Sequence, residues 1–139
     1  MKKISFITAT LMVIMNLLSA QSTLANSYPN AIAPLEAKRL LDQGSAVLID
    51  IREKSEIALG MAAPALWYPK STIDADLEGF LAFLATHSGK EIILYCRSGN
   101  RVSAVIKMLT PRGIHAWNMG GFAAWVDARL PTKIPQFAY

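Results

Sequence analysis

One cysteine stands among 139 residues, and its isolation excludes an intrachain disulfide framework and a Cys-rich zinc site. Charge is also scarce. Only 17% of residues are Asp, Glu, Lys or Arg, too few for a disordered polyelectrolyte. The net charge of +4 comes without any dense basic run, which gives no electrostatic footprint for nucleic acid. There are two histidines, no low-complexity tract and no internal repeat. Six methionines do not make a copper motif, because Met1, Met12 and Met15 lie in the opening segment.

What is present in quantity is hydrophobicity, 53% of the chain, and part of it is an address. Met1-Lys2-Lys3 is a short basic start, and Ile4 to Leu18 is free of charge and mostly apolar. Small residues follow at Ser19-Ala20 and Thr23-Leu24-Ala25. Basic start, apolar run and small-residue end are the parts of a bacterial secretory signal, with cleavage expected after Ala25 and Ala20 as the second choice. An uncleaved anchor is the alternative, but a span needs about 20 predominantly apolar residues, and this run is shorter and broken by Ser5, Thr8, Thr10 and Asn16. The expected organisation is a signal over 1–25 and one domain over 26–139, with its core at about 31–132. The expected destination is the periplasm. Without Lys2 and Lys3 the remainder carries 12 basic and 10 acidic residues. Near-neutrality of the mature chain argues against stable membrane association and against nucleic acid as a partner.

Apolar patterning then outlines the domain. Pro34 to Leu41 reads as a helix opened by proline and stopped at Gly44, with Ile32 just before it as a short edge strand. Val47 to Ile51 is a compact apolar run, the pattern of a strand buried on both faces. A helical turn is expected over Glu53–Leu59, a loop over Gly60 to Pro64, and a short strand over Ala65–Tyr68. Ile73, Leu77, Phe80, Leu81 and Leu84 form one helical stripe, with Ser71 or Asp74 as its cap. Ile92–Tyr95 is a second strand, Val102 to Leu109 a helix, and Ile114–Asn118 a third strand. Gly120-Gly121 is expected to turn the chain into a last helix striped by Phe122, Trp125, Val126 and Leu130. From Pro131 the tail is expected to be irregular. Strands alternating with helices indicate an α/β fold with a parallel sheet. Ligands of such sheets sit at the carboxyl ends of the strands, where Asp50 and Cys96 both fall.

Cys96-Arg97-Ser98-Gly99-Asn100-Arg101 joins strand to helix. A tight loop around Ser98-Gly99 can turn backbone N–H groups inward as an anion nest, and the next helix points its positive end the same way. With Arg97 and Arg101 beside it, Cys96 is expected to ionise readily and act as a nucleophile. Two anionic electrophiles suit such a loop: a sulfane sulfur donor and a phosphate ester. Phosphatase loops place five residues between Cys and Arg, whereas four separate Cys96 from Arg101. The smaller nest favours a persulfide over a tetrahedral phosphate, leaving a Cys-dependent phosphatase or arsenate reductase as the weaker reading.

Blander roles compete with these. A lone Cys is most often a small buried hydrophobe. Asp50 reads as a loop-bracing carboxylate, and Arg52 with Glu56 as a surface helical pair. His87 is expected exposed at a helix end, and His115 structural at a strand start. A Cys–His hydrolase would need one of them near Cys96, and nothing in the order of residues puts either there. Trp117, Trp125 and Phe122 read as packing rather than a ligand cage.

In four pieces the chain resembles the rhodanese family, as a single-domain exported member. They are Ile32 to Ala37 as its opening strand and helix, Leu48-Ile49-Asp50-Ile51-Arg52 as its Asp-x-Arg segment with Glu56 beyond, the loop at Cys96, and Gly120-Gly121-Phe122 through Trp125 with Leu130-Pro131. The resemblance implies a three-layer α/β/α domain with helices on both faces of a small parallel sheet. It implies ping-pong sulfur transfer through a covalent persulfide on Cys96, with no cofactor and no metal. Thiosulfate or a similar small anionic donor supplies the sulfur, and cyanide or a thiol, a protein thiol included, accepts it. Arg97, Ser98, Gly99, Asn100 and Arg101 are implied to bind the substrate and stabilise the persulfide, with Arg97 and Arg101 on the donor's anionic end. Asp50 and Arg52 are implied to brace the loop. A non-catalytic binding module or sulfur carrier on the same scaffold is the alternative reading. The family's Gly-His-Ile-x-Gly-Ala is replaced by Gly60-Met61-Ala62-Ala63-Pro64-Ala65, with Trp67 expected near the rim, and Val102 stands where a small hydroxyl residue is usual.

Overall fold

The protein is represented by a computed structural model, which describes residues 28–137. The secretory-signal reading of residues 1–25 lies outside these. Helix α1 is Pro34–Asp42, with proline in its first turn as expected. Strand β1 (Ala46–Asp50) is buried at every position. Helix α2 (Lys54–Ile57) leads to the two-residue strands β2 (Met61–Ala62) and β3 (Leu66–Trp67). Helices α3 (Lys70–Ala75) and α4 (Leu77–Ala85) precede strand β4 (Glu91–Cys96). Helix α5 (Asn100–Leu109) runs into a 3₁₀ turn at Thr110–Arg112, then strand β5 (Ala116–Gly121), helix α6 (Phe122–Asp127) and strand β6 (Thr132–Lys133).

The main sheet has the order β3-β1-β4-β5, all parallel. Side chains alternate across it with the strand's period of two. Val47 and Ile49 of β1, and Ile92, Leu94 and Cys96 of β4, pack with Ile73, Phe80, Leu84, Val102, Val105 and Leu109 of α3, α4 and α5. Leu48, Ile93 and Tyr95 face the other way, onto Ala37, Ile57, Met119 and Trp125. Two apolar faces, each covered by helices, make the three-layer α/β/α domain, and they explain why β1 and β4 read as unbroken apolar runs.

Several local expectations are corrected. The stripe from Ile73 to Leu84 is two helices, because the chain leaves helical geometry at Asp76 (φ −146°, ψ 81°). The cap is Asp76, whose carboxylate accepts the Gly79 N–H at 2.9 Å, and neither Ser71 nor Asp74. The tail is not wholly irregular: β6 pairs antiparallel with β2, Met61 opposite Lys133 and Ala62 opposite Thr132. Gly120-Gly121 ends β5 instead of forming a separate turn. Ahead of α1 the edge pairing is a single bridge, Ala31 with Asn118. His87 is part-buried against the Phe83 ring, and His115 is exposed, just before β5. Among the described residues, no helix is long and apolar enough to cross a membrane.

Candidate active site

Cys96 ends β4 and is fully buried. Immediately beyond it the chain must reverse into α5 within three residues. Gly99 makes this possible with a left-handed backbone (φ +94°) that favours glycine. The turn brings the Gly99 N–H to 3.1 Å from Cys96 Sγ, an inward donor of the nest. The end of β5 closes against the loop: a Cβ at Gly121 would overlap the Arg97 carbonyl oxygen.

The loop is gripped from behind by a residue that sequence reasoning missed. Asn118, buried in β5, donates through Nδ2 to the Gly99 carbonyl at 3.1 Å and to Ser103 Oγ at 3.2 Å. Its Oδ1 accepts the Gly120 N–H at 2.8 Å. The available signal was a lone amide in an otherwise apolar strand, since a buried polar group has to be satisfied.

Arg101, from the first turn of α5, forms a two-pronged pair with Glu56, both contacts at 2.7 Å. Sequence reasoning had Arg101 holding the donor's anionic end; here its guanidinium is engaged by the Glu56 carboxylate. The Glu56 hydrogen bond raises the Arg101 pKa, burial opposes this, and the charges of Glu56 and then Cys96 add to the rise. For Glu56, the Arg101 hydrogen bond outweighs burial, and with the Glu53 N–H it lowers the carboxyl from 4.5 to about 2. Arg97, Ser98 and Asn100 are exposed around the loop.

Asp50 and Arg52 form a separate buried unit beneath this. The Asp50 carboxylate accepts the Arg52 backbone N–H at 2.9 Å, Nε at 3.1 Å and Nη2 at 2.8 Å. Arg52 Nη2 also donates to the Gly60 carbonyl at 2.8 Å, and the guanidinium lies 4.3 Å from the Phe122 ring centre. Burial disfavours the charge on Arg52, but the Asp50 hydrogen bonds and charge prevail and raise its pKa. Arg52 therefore pairs with Asp50, not with Glu56 as a surface helical pair. It joins the end of β1 to the start of β2 and of α6. Tyr95, next to Cys96 in β4, takes the Ala62 N–H on its hydroxyl at 3.0 Å, and burial raises its pKa. These two bonds fix the Gly60–Ala65 segment, the departure noted above. Trp67 donates from Nε1 to the Arg52 carbonyl at 2.8 Å, and Trp125 to the Pro131 carbonyl at 2.8 Å. Among the described residues, no three His, Cys, Asp or Glu side chains cluster as metal ligands would.

The arrangement joins a single buried thiol, an inward N–H and a nearby guanidinium at the carboxyl end of a parallel strand. It suits a nucleophile that becomes, and then holds, an anion. Known proteins resemble the chain as a whole. A sulfurtransferase of Allochromatium vinosum is 31% identical over 102 residues, covering 72% of this chain and 90% of that protein. An uncharacterised protein of Synechocystis is 31% identical over 103 residues, 73% of this chain, which spans 54% of that longer protein. The structure of a rhodanese-related protein from Thermoplasma volcanium superposes with a TM-score of 0.63 at 21% identity, over 77% of this chain and all of that one. The model of the rhodanese-like domain matches residues 33–128, from the start of α1 to the end of α6, and the chain belongs to the rhodanese family.

Proposed function

We propose that the protein is an exported sulfurtransferase that carries a sulfane sulfur on Cys96, with thiosulfate as a competent donor. The observation that carries this reading is the thiol at the end of β4 with the Gly99 N–H 3.1 Å from its sulfur, in a loop with four residues between Cys96 and Arg101. The Cys96 thiolate attacks the outer sulfur of thiosulfate. A bond forms from Sγ to that sulfur, the bond to the sulfonate sulfur breaks, and sulfite leaves with the electron pair. The terminal persulfide anion sits in the nest that held the thiolate. Cyanide or a thiolate then attacks the terminal sulfur, the persulfide bond breaks, and the Cys96 thiolate returns. Splitting the transfer into two displacements is what a covalent nucleophile offers.

Cys96 has no exposed surface in this conformation, so sulfur passes in and out through movement of the surrounding rim. The secretory-signal pattern of residues 1–25 supports a periplasmic setting, where an unpaired cysteine has no intrachain thiol to trap it. Incubation of purified protein with thiosulfate alone is expected to add the mass of one sulfur atom, lost again on cyanide with release of thiocyanate. A wild-type protein that gains no sulfur, or a Cys96→Ala variant that turns over undiminished, refutes the reading.

A further inference from the structure

The chain ahead of α1 reaches back to the loop through one side chain. The hydroxyl oxygen of Tyr28 lies 2.9 Å from the Ser98 carbonyl oxygen and 2.8 Å from Asn100 Oδ1, and its single proton serves one of them at a time. Its ring lies on Gly99: a Cβ there would come within 2.7 Å of Cε2. The Ser98 carbonyl and the Gly99 N–H belong to the same peptide group. In a trans peptide the two point in opposite directions. The N–H end is 3.1 Å from Cys96 Sγ, so the phenol and the thiol hold opposite ends of one peptide.

We propose that Tyr28 is a positioning residue for Cys96, its hydroxyl donating to the Ser98 carbonyl so that the Gly99 N–H is turned inward and made a stronger donor to the sulfur anion. A hydrogen bond accepted at a peptide oxygen polarises that peptide, which strengthens the bond its N–H makes by about 10–30%. The ring, packed on Gly99, holds the turn in its left-handed conformation. The role is defined for the thiolate itself. Its value for the persulfide rests on the sulfurtransferase reading above.

The test is Tyr28→Phe, which keeps the ring and removes the hydroxyl. Because Cys96 is the single cysteine, alkylation by iodoacetamide reports on it alone. The rate is measured against pH, and the ultraviolet absorbance of the thiolate is titrated in parallel, a readout that needs no reagent to reach the sulfur. Removal of the hydroxyl is expected to raise the titration midpoint of Cys96 by about 0.3–0.7 pH unit, a two- to fivefold smaller thiolate fraction below both midpoints. A residue that only packs the loop would change the alkylation rate at every pH and leave the midpoint in place. Coincident midpoints in both measurements overturn the proposal. Sulfur uptake from thiosulfate separates the two readings. A shifted midpoint in proteins that take up no sulfur removes the sulfurtransferase reading and keeps the role of Tyr28. Unchanged midpoints in proteins that load sulfur equally remove the role of Tyr28 alone.

Discussion

Replacing Arg52 by methionine removes a charge from the interior and keeps most of the side-chain volume. Asp50 is fully buried and its carboxylate is held by Arg52. In Arg52→Met that carboxylate keeps one backbone N–H and loses its counter-charge, and the Gly60 carbonyl loses its donor. Breaking a buried ion pair from one side costs about 3–5 kcal/mol, because the remaining charge is stranded. A small domain has about 5–15 kcal/mol in all. With a urea slope of about 1–3 kcal/mol per molar, the unfolding midpoint is expected to fall by about 2 M. Asp50→Asn in the same background removes the stranded charge, so the double variant is expected to be more stable than Arg52→Met by about 2 kcal/mol. Urea unfolding of the three proteins at pH 7.5, followed by far-ultraviolet circular dichroism, decides the matter. An Arg52→Met midpoint equal to that of the wild type, or a double variant weaker than the single, refutes the argument that this pair exists to neutralise Asp50.

Glu56 makes acid stability a second readout. Its carboxyl is lowered from 4.5 in the unfolded chain to about 2 in the folded one, so its stabilising contribution is complete above 4.5 and is lost as pH falls through about 2. The pair is partly open to solvent, which screens it, and Glu56→Gln is expected to cost about 1 kcal/mol at pH 7 and only a small part of that at pH 2, measured by urea unfolding at both. An equal cost at both values refutes the pairing. Gly121→Ala presses a methyl group into the Arg97 carbonyl, and a backbone oxygen cannot swing aside. The loop must shift, by an amount of order 1 Å, and sulfur loading from thiosulfate is expected to slow about 100-fold. Loading at the wild-type rate would mean that the approach of β5 does not shape the nest.

Much of the fold was legible because burial on both faces leaves a strong trace. Val47 to Ile51 and Ile92 to Tyr95 read as strands since no polar residue had to face water; the structure shifts the first back by one residue, to Ala46–Asp50, and lengthens the second at both ends, to Glu91–Cys96. A stripe reports a face but not continuity. Ile73 and Leu77 to Leu84 do face one core, yet Asp76 interrupts the helix by preferring its own bond to the Gly79 N–H. Strand β6 was illegible for a different reason: Thr132 and Lys133 are both exposed, and only their pairing with Met61–Ala62 makes them a strand. At the site, the Cys96 loop was readable because its parts are contiguous. Its supports were not. Glu56 lies 45 residues from Arg101, and Asn118 lies 19 residues from Gly99. Short-range spacing offered Arg52 and Glu56 as partners, and the fold gave each a different one.

Those supports have a common geometry, and it changes what the motif means. Three successive peptide oxygens of the loop face residues outside it, the first by close approach and the other two through hydrogen bonds. The Arg97 oxygen lies against Gly121, the Ser98 oxygen against the Tyr28 hydroxyl, and the Gly99 oxygen takes the Asn118 amide and the Ser103 N–H at 3.0 Å. Because a trans peptide sets its N–H opposite its carbonyl, holding the oxygens outward commits the N–H groups of Ser98, Gly99 and Asn100 to the inner side. The Gly99 N–H is the one that meets the sulfur, at 3.1 Å. The nest is therefore not a property of Cys96 to Arg101 alone. The six residues provide a chain able to turn so tightly, through glycine at Gly99, and residues on other elements select the orientation of its dipoles. In the proposed transfer, a donor group fixed in this way reorganises little when charge moves from the thiolate to the persulfide, which is the condition for stabilising both with the same few atoms. Substitutions outside the motif, at Tyr28, Asn118 or Gly121, should accordingly act on the chemistry of Cys96 through the direction of a peptide bond rather than through any contact with substrate.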